Sequence, residues 1–337
     1  MPTLPQTRSK HLIPFSAFLR KAGTPVDRIL LKASLPTGCL DDPEALVPSD
    51  AAFRFRELAA RTLGLPNISI DATRHLAISD LGEFSRPLFQ APTLYKLLTE
   101  FRDRINTETT MAVIELNHTE CGDVSFCHRF QHKPTSDLWH SDLYILQWTI
   151  KLVRLVDPAW SPMEIWSVSP NASDHDDAIA KLGAKTAIFN RHCTGFLIPS
   201  SMLALPLTSD NVTTDAEQVD DSQLRATAPA NTCSGALRQM IMSYAGDRWL
   251  SIDETGEVLG LSVRTLQRRL AAERTTYSNV LNGTRSEMAS ELLEKTDTTI
   301  EDIAEHLGYR SPGNFSRAFR CWSGASPREF RQQRSSR

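Results

Sequence analysis

LGYRSPGNFSRAFRCWSGASPREF, Leu307 to Phe330, spaces Phe315, Phe319 and Trp322 as a helical core would and sets Arg310, Arg317 and Arg320 around them. Gly308 is a helix stop, and Ser311-Pro312 starts the next helix, because proline suits a first turn whose N–H has no intrahelical partner. At 100° per residue the stripe of Phe315, Ala318 and Phe319 turns Gly313, Arg317 and Arg320 to the opposite side. The aromatic rings dock the helix and the arginines face away from it. From Tyr309 to Arg337 seven arginines stand against one acid, Glu329, on a chain whose formal net charge is −3. The C-terminus is a basic end on an otherwise acidic chain.

Working back from that stretch, SIDETGEVLGLSVRTLQRRLAAE (251–273) repeats its plan. Ser251 caps a helix, Asp253 and Glu254 sit in its positive first turn, Gly260 stops it, and a second helix begins near Ser262. In the downstream copy Thr299 is the cap, with Glu301 and Asp302 in the first turn and Gly308 as the stop. The amphipathic YSNVLNGTRSEMASELLEKT (277–296) between them reads as a connecting helix. In the upstream second helix Val263, Leu266 and Leu270 share one face, which sends Arg264 and Arg268 outward. A helix–turn–helix that offers arginines near the start of its second helix fits the major groove of double-stranded DNA, where arginine is the commonest reader of guanine. A helical bundle with solvated arginines shares this periodicity, so the pairing of two such units must be weighed with the resemblance below.

The 337 residues, 41% of them hydrophobic, suffice for two cores. The expected layout is an α+β domain over 1–207, a linker over 208–232 and an all-α domain over 233–337, with helix-turn-helix units at about 250–272 and 299–322. The N-terminal part opens with helical periodicity in FSAFLRKAGTPVDRILLKASLP, DAAFRFRELAARTLG and TLYKLLTEFRDRI. The period then changes to two: TTMAVIELNH and DVSFCHRFQH alternate across TECG, as a β-hairpin does. A long helix in SDLYILQWTIKLVRLV ends at Asp157-Pro158, and MEIWSVSP and AIFNRHCTGFLIP read as further strands. Between Thr208 and Thr232 the text is rich in Asp, Thr, Ser and Ala, as a linker is. No run of about 20 apolar residues occurs and no signal-peptide core opens the chain, so a soluble, cytoplasmic protein with no membrane partner is expected. The six scattered cysteines fit reduced thiols.

The C-terminal hundred residues resemble the AraC/XylS family of bacterial transcription regulators, through IAEHLGYRSPGNFSRAFRCWSGASPREFR and LGLSVRTLQRRLAAE. The resemblance implies two second helices entering successive major grooves, with Arg264, Thr265, Gln267 and Arg268 as contacts of the first unit. In the second unit it implies Asn314 and Arg317 as base readers, with Ser311, Ser316 and Arg320 nearer the phosphates. Gly313 occupies the outward slot equivalent to Arg264, so the second unit depends more on Arg317. Gly256 stands where the family usually has alanine, at a cost of roughly 1 kcal/mol of helix propensity unless tight packing requires it. The first two hundred residues resemble an effector-binding domain found in regulators of amino-acid utilisation and of virulence or quorum-linked genes. The supporting segments include GEFSRPLFQAPTLYKLLTEF and FNRHCTGFLIPSSMLALPL. The implied protein is an activator that contacts RNA polymerase, answers an unidentified small-molecule effector and forms a homodimer; a repressor or a ligand-independent regulator is the alternative.

The residue types also raise two other chemistries. HTECGDVSFCHRFQHKPTSDLWH holds His118, Cys121, Cys127, His128, His132 and His140, ligand types suited to zinc or copper. Strand alternation, however, sets His128 with Val124, Phe126 and Phe130 and turns Cys127 to the other face, and the spacing matches no closed zinc pattern, so no metal or other cofactor is expected. No nucleophile elbow, phosphate loop or dinucleotide fingerprint occurs, and Ser200-Ser201 beside Pro199 has no placed base, so no catalytic residue is assigned.

Overall fold

The computed structural model describes residues 3–131, 137–170, 175–208 and 222–334. The chain divides into two compact units, one of Pro5–Leu35 and Leu40–Pro229 and the other of Ala230–Arg337 with the short segments Met1–Leu4 and Pro36–Cys39.

The first unit is α+β. A two-stranded antiparallel ribbon, β1 (Gln6–Arg8) with β2 (Leu46–Pro48), flanks the helices α1 (Ile13–Lys21) and α2 (Val26–Lys32). Next come α3 (Ser49–Leu63), α4 (Ile68–Thr73) and α5 (Leu94–Arg104). The alternating segments form the hairpin β3 (Ala112–His118) and β4 (Val124–Phe130), in register from Ala112 opposite Phe130 to His118 opposite Val124. After α6 (Trp139–Arg154) come β5 (Glu164–Trp166), α7 (His175–Leu182), β6 (Thr186–Ile188), β7 (Thr194–Ile198) and α8 (Ser200–Leu203). The sheet order is β3-β4-β7-β5-β6, antiparallel except for β5 beside β6.

AIFNRHCTGFLIP thus supplies two strands rather than one. Asn190 breaks the run with φ +56, a left-handed conformation asparagine tolerates well. Central β7 lies close to β4: a Cβ on Gly195 would stand 1.8 Å from the Phe126 carbonyl oxygen, so only glycine fits there. The buried carboxylate of Asp142 fastens α6 to the sheet by accepting from the hydroxyls of Ser167 at 2.6 Å, Ser169 at 2.7 Å and Thr194 at 2.6 Å. Burial raises its pKa against those bonds.

Of the segment expected as a linker, residues 209–221 lie outside the described residues. Ser222–Ala226 forms α9, and the Leu224 carbonyl accepts from Arg8 Nη2 at 3.2 Å.

The second unit is all-helical: α10 (Cys233–Tyr244), α11 (Ile252–Leu259), α12 (Val263–Ala272), α13 (Tyr277–Lys295), α14 (Ile300–His306), α15 (Pro312–Ser323) and α16 (Pro327–Arg334). It holds two apolar cores. One joins α10, α11 and α12 around Leu237, Leu259, Leu266 and Leu270; the other joins the end of α13 to α14 and α15 around Leu293, Ile303, Phe315 and Phe319. Trp249 packs on both cores and donates from Nε1 to the His306 carbonyl at 3.0 Å. The Arg285 guanidinium of α13 lies 4.5 Å from the Trp249 ring centre and 5.2 Å from that of Tyr309. This stack is the physical joint between the two helix–turn–helix units, and nothing in its local sequence announces it.

Candidate nucleic-acid interface and interior cavity

Local sequence chemistry sets the start of each helix. In the first unit the Ser251 hydroxyl accepts from the Glu254 N–H at 3.2 Å while the Glu254 carboxylate accepts from the Ser251 N–H at 2.7 Å, a reciprocal capping box. Those bonds from the Ser251 backbone and side chain hold the Glu254 carboxyl below its ordinary pKa. In the second unit Thr299 accepts from the Asp302 N–H at 3.1 Å. The helix entering each prospective groove is capped by serine: Ser262 accepts from the Thr265 N–H at 3.2 Å, and Ser311 from the Asn314 N–H at 3.3 Å.

Both turns carry a stop glycine at positive φ, Gly260 at +63 and Gly308 at +74, and differ in what packs around them. Gly308 has φ +74, and a Cβ there would stand 2.5 Å from the Trp249 ring, so conformation and space both demand glycine. Gly256 lies inside α11 with ordinary backbone, but a Cβ would meet the Leu261 carbonyl oxygen at 2.7 Å. The departure from alanine at 256 therefore lets the turn fold back tightly on its own helix.

The exposed side of α12 carries Arg264, Gln267 and Arg268, opposite buried Leu266 and Leu270. Thr265 is half-buried, its hydroxyl 2.9 Å from the capping Ser262 hydroxyl. On α15, Gly313, Asn314, Arg317 and Arg320 are exposed, Ser311 and Ser316 are half-buried, and Phe315 and Phe319 are sealed in. Arg317 Nη2 donates to Asn314 Oδ1 at 2.6 Å, which holds those two side chains together on the outer face. Arg320 lies 3.9 Å from Glu329 of α16, a separation at which an exposed pair holds it only weakly.

The histidines and cysteines weighed as ligands do not converge. His132 lies outside the described residues. His118 sits against Tyr95 and Cys121 is exposed beyond β3, whereas His128 and His140 are buried on β4 and α6. Burial pushes His128 down to about 3 and His140 down to about 4, so both rings are neutral at physiological pH. Cys127 faces away from His128, as strand alternation requires. Its sulfur lies 2.6 Å from that of Cys193, and with His192 the two thiols bring three ligand atoms within 4.8 Å of one another. The Cys193 thiol holds Cys127 below its ordinary pKa, while its own pKa is pushed up. His192 and Cys193 carry no local signal of this cluster, because the β4–β7 pairing brings Cys193 to Cys127 from 66 positions away.

The α+β unit also holds a cavity of about 110 Å³ between α3, α5, α6 and the β3–β4 hairpin. Its walls include Phe53, Phe84, Phe101, Phe126 and Phe130, with Arg56, Ser141, Tyr144 and His128 as polar members. Burial lowers Arg56 to about 10 and raises the Tyr144 phenol to about 12, so at neutral pH the guanidinium is charged and the phenol protonated. A sequence signal for Arg56 existed: it lies three positions after Phe53, four after Ala52 and three before Ala59, on the apolar stripe of α3.

Two capped helix–turn–helix units on one helical unit, together with a separate α+β unit that holds a cavity, define a DNA-binding regulator class. The comparisons with known proteins agree. Residues 23–207 match the model described as the arabinose-binding domain of AraC transcription regulator, N-terminal, and residues 256–333 match a helix-turn-helix domain model. The chain belongs to the AraC family and is a helix-turn-helix DNA-binding transcription regulator. It is 25% identical over 315 residues, 91% of each chain, to an uncharacterized HTH-type transcriptional regulator of Mycobacterium tuberculosis. It is 30% identical over 162 residues, 47% of each chain, to the ornithine utilization regulator of Pseudomonas aeruginosa. The crystal structure of the transcriptional regulator CdpR from Pseudomonas aeruginosa matches 96% of this chain and 98% of its own, with 21% identity and a TM-score of 0.42. Among the described residues no helix is long and apolar enough to cross a membrane.

Proposed function

We propose that α12 and α15 enter two successive major grooves, and that effector binding in the α+β unit controls transcription activation from that site. The observation that carries this reading is the matched pair of helix starts. Each is serine-capped, each buries its apolar stripe, and each leaves outward residues near its N-terminal end, Arg264, Gln267 and Arg268 in one unit and Asn314 and Arg317 in the other. Thr265, Ser311, Gly313, Ser316 and Arg320 flank these readers, and Arg320 serves the phosphates. The near-neutral net charge of the chain keeps nonspecific DNA affinity modest, so specificity comes from the two reading helices.

The cavity supports the effector reading, since a packed interior rarely keeps a void of this size lined partly by polar groups. An activator that contacts RNA polymerase beside its site, works in the cytoplasm and pairs as a homodimer completes the reading, which needs no cofactor beyond the effector. Selection of operators from a random duplex pool, followed by footprinting, tests it. Two protected half-sites about one helical turn apart are expected; protection of a single groove segment would remove one unit from the reading.

A further inference from the structure

The α+β unit contains two buried arginines in opposite circumstances. Arg8 is surrounded by acceptors: the Thr107 carbonyl at 2.8 Å, the Glu44 carboxylate at 2.7 Å, Glu108 at 3.4 Å and the Leu224 carbonyl at 3.2 Å. Arg56 makes one hydrogen bond, from Nη1 to the Ser141 hydroxyl at 3.2 Å. Its Nε has no partner, and among the described residues no carboxylate pairs with it. Rings surround it instead, with centroids at 4.7 Å for Tyr144, 5.5 Å for Phe15 and 5.9 Å for Phe53. Ring faces attract a cation but do not neutralise it.

The one carboxylate lining the cavity cannot serve as its counter-ion. Glu108 already meets Lys10 at 2.9 Å, His11 at 3.0 Å and Arg8 at 3.4 Å, and those partners keep its pKa below the ordinary carboxylate value despite burial. His11 in turn lies 2.9 Å from the Tyr144 hydroxyl, which closes the chain of polar contacts without reaching Arg56. A second polar atom is unsatisfied as well: His128 Nδ1, buried on β4, has no hydrogen-bond partner outside its own residue. A buried charge left without a counter-ion is among the largest penalties a core can carry, and it calls for an anion supplied from outside.

We propose that this cavity binds a small monocarboxylate with a compact apolar body, its carboxylate on Arg56 and Ser141 and its body against the Phe53, Phe126 and Phe130 side. The planar guanidinium fork matches a carboxylate in two parallel bonds. A dianion would bring a surplus negative charge into a site with one unpaired cation. A sugar would bury several hydroxyls against walls that are mostly apolar, where Ser49 Oγ and Trp148 Nε1 are the few further buried polar atoms left without a partner. An amino acid's ammonium would find only Glu108, already shared by three bases. The volume is on the scale of the ~150 Å³ apolar cavity that admits benzene in another core. The proposal rests on the reading of the α+β unit as an effector domain and names the chemical class of that effector.

The test uses the full-length protein and neutral probes beside charged ones. Benzoate, phenylacetate and hexanoate are titrated by calorimetry and thermal shift against their amides, with L-ornithine and L-arabinose alongside. At least one acid is expected to bind saturably, with its amide at least tenfold weaker. Arg56→Gln is expected to cost the acid tenfold or more and the amide less than twofold, and Ser141→Ala to cost the acid less than Arg56→Gln does. The acid–amide comparison needs no substitution, so a poorly folding variant does not obscure it. Equal binding of acids and amides, preference for ornithine or arabinose, or no binding by any acid overturns the proposal. Repeating the titration against a selected operator separates the two readings. An acid that binds without changing operator affinity leaves the site standing and removes the effector role. Ornithine or arabinose changing that affinity removes the assignment to an apolar monocarboxylate and keeps the effector role.

Discussion

The two helix–turn–helix units are alike in scaffold and unlike in what they present. Both use a serine cap, a glycine turn and a sealed apolar stripe on the second helix. The first unit exposes Arg264, Gln267 and Arg268 on α12, whereas the second exposes Gly313 where Arg264 would stand and holds Arg317 against Asn314. The scaffold is therefore fixed by packing, while the reading surface is free to differ, because outward side chains contribute little to the fold. Both turns hold a stop glycine at positive φ, Gly260 at +63 and Gly308 at +74, and they differ in what crowds them: the Trp249 ring meets Gly308, and the Leu261 carbonyl oxygen meets Gly256 of the preceding helix.

The comparison breaks most readily in the cores. Phe319→Ala removes a fully buried ring and is expected to cost about 3–5 kcal/mol. Hydrogen exchange should then show α14, α15 and α16 losing protection while α10 and α12 keep theirs; simultaneous loss in both halves would mean that the Trp249–Arg285 joint makes them one cooperative unit. At the turns, Gly308→Ala is expected to cost about 1–3 kcal/mol from its left-handed backbone, with the Trp249 clash added. Gly256→Ala is the sharper case: propensity favours alanine by about 1 kcal/mol, but a backbone contact at 2.7 Å cannot yield as a side chain would. Denaturant midpoints should fall for both variants, and a rise for Gly256→Ala would show that the turn relaxes.

At the reading surface, Arg268→Ala and Arg317→Ala are each expected to cost about 1–3 kcal/mol of specific binding and to relax preference at one base position. Fluorescence anisotropy on a selected operator and its single-base variants measures both effects. An Arg317→Ala variant with unchanged affinity and preference would place the second unit in the wrong register. Arg320→Ala is expected to weaken all sequences about equally and to lower the salt slope by about one. Least of all, Gly313→Ala fills open space at an ordinary helical position and should stabilise α15 by up to ~1 kcal/mol without changing base preference.

Local signals made the C-terminal unit legible. Caps, stop glycines and the period of Leu266, Leu270, Phe315 and Phe319 are written within a few residues of where they act, so helix boundaries and the outward arginines could be read directly. The β3–β4 hairpin was legible for the same reason: strict alternation about a short turn leaves few other registers. The strand break at Asn190 was not, since a single residue in a left-handed conformation leaves the hydrophobic pattern on either side intact. Arg56 stood on an apolar stripe, but whether a buried arginine is paired depends on which carboxylates the fold brings near it.

The sequence by itself determined two capped helix–turn–helix units, an α+β partner domain and the outward set of side chains on α12 and α15, because each follows from contacts within one or two turns of chain. Only the tertiary structure decided that Cys127 meets Cys193, that Trp249 and Arg285 join the two helix–turn–helix units, and that Glu108 is taken up by Arg8, Lys10 and His11 while Arg56, among the described residues, has one hydroxyl and three rings. Those outcomes depend on residues brought together across large separations in sequence, and a non-local meeting leaves no periodic trace in the chain that encodes it.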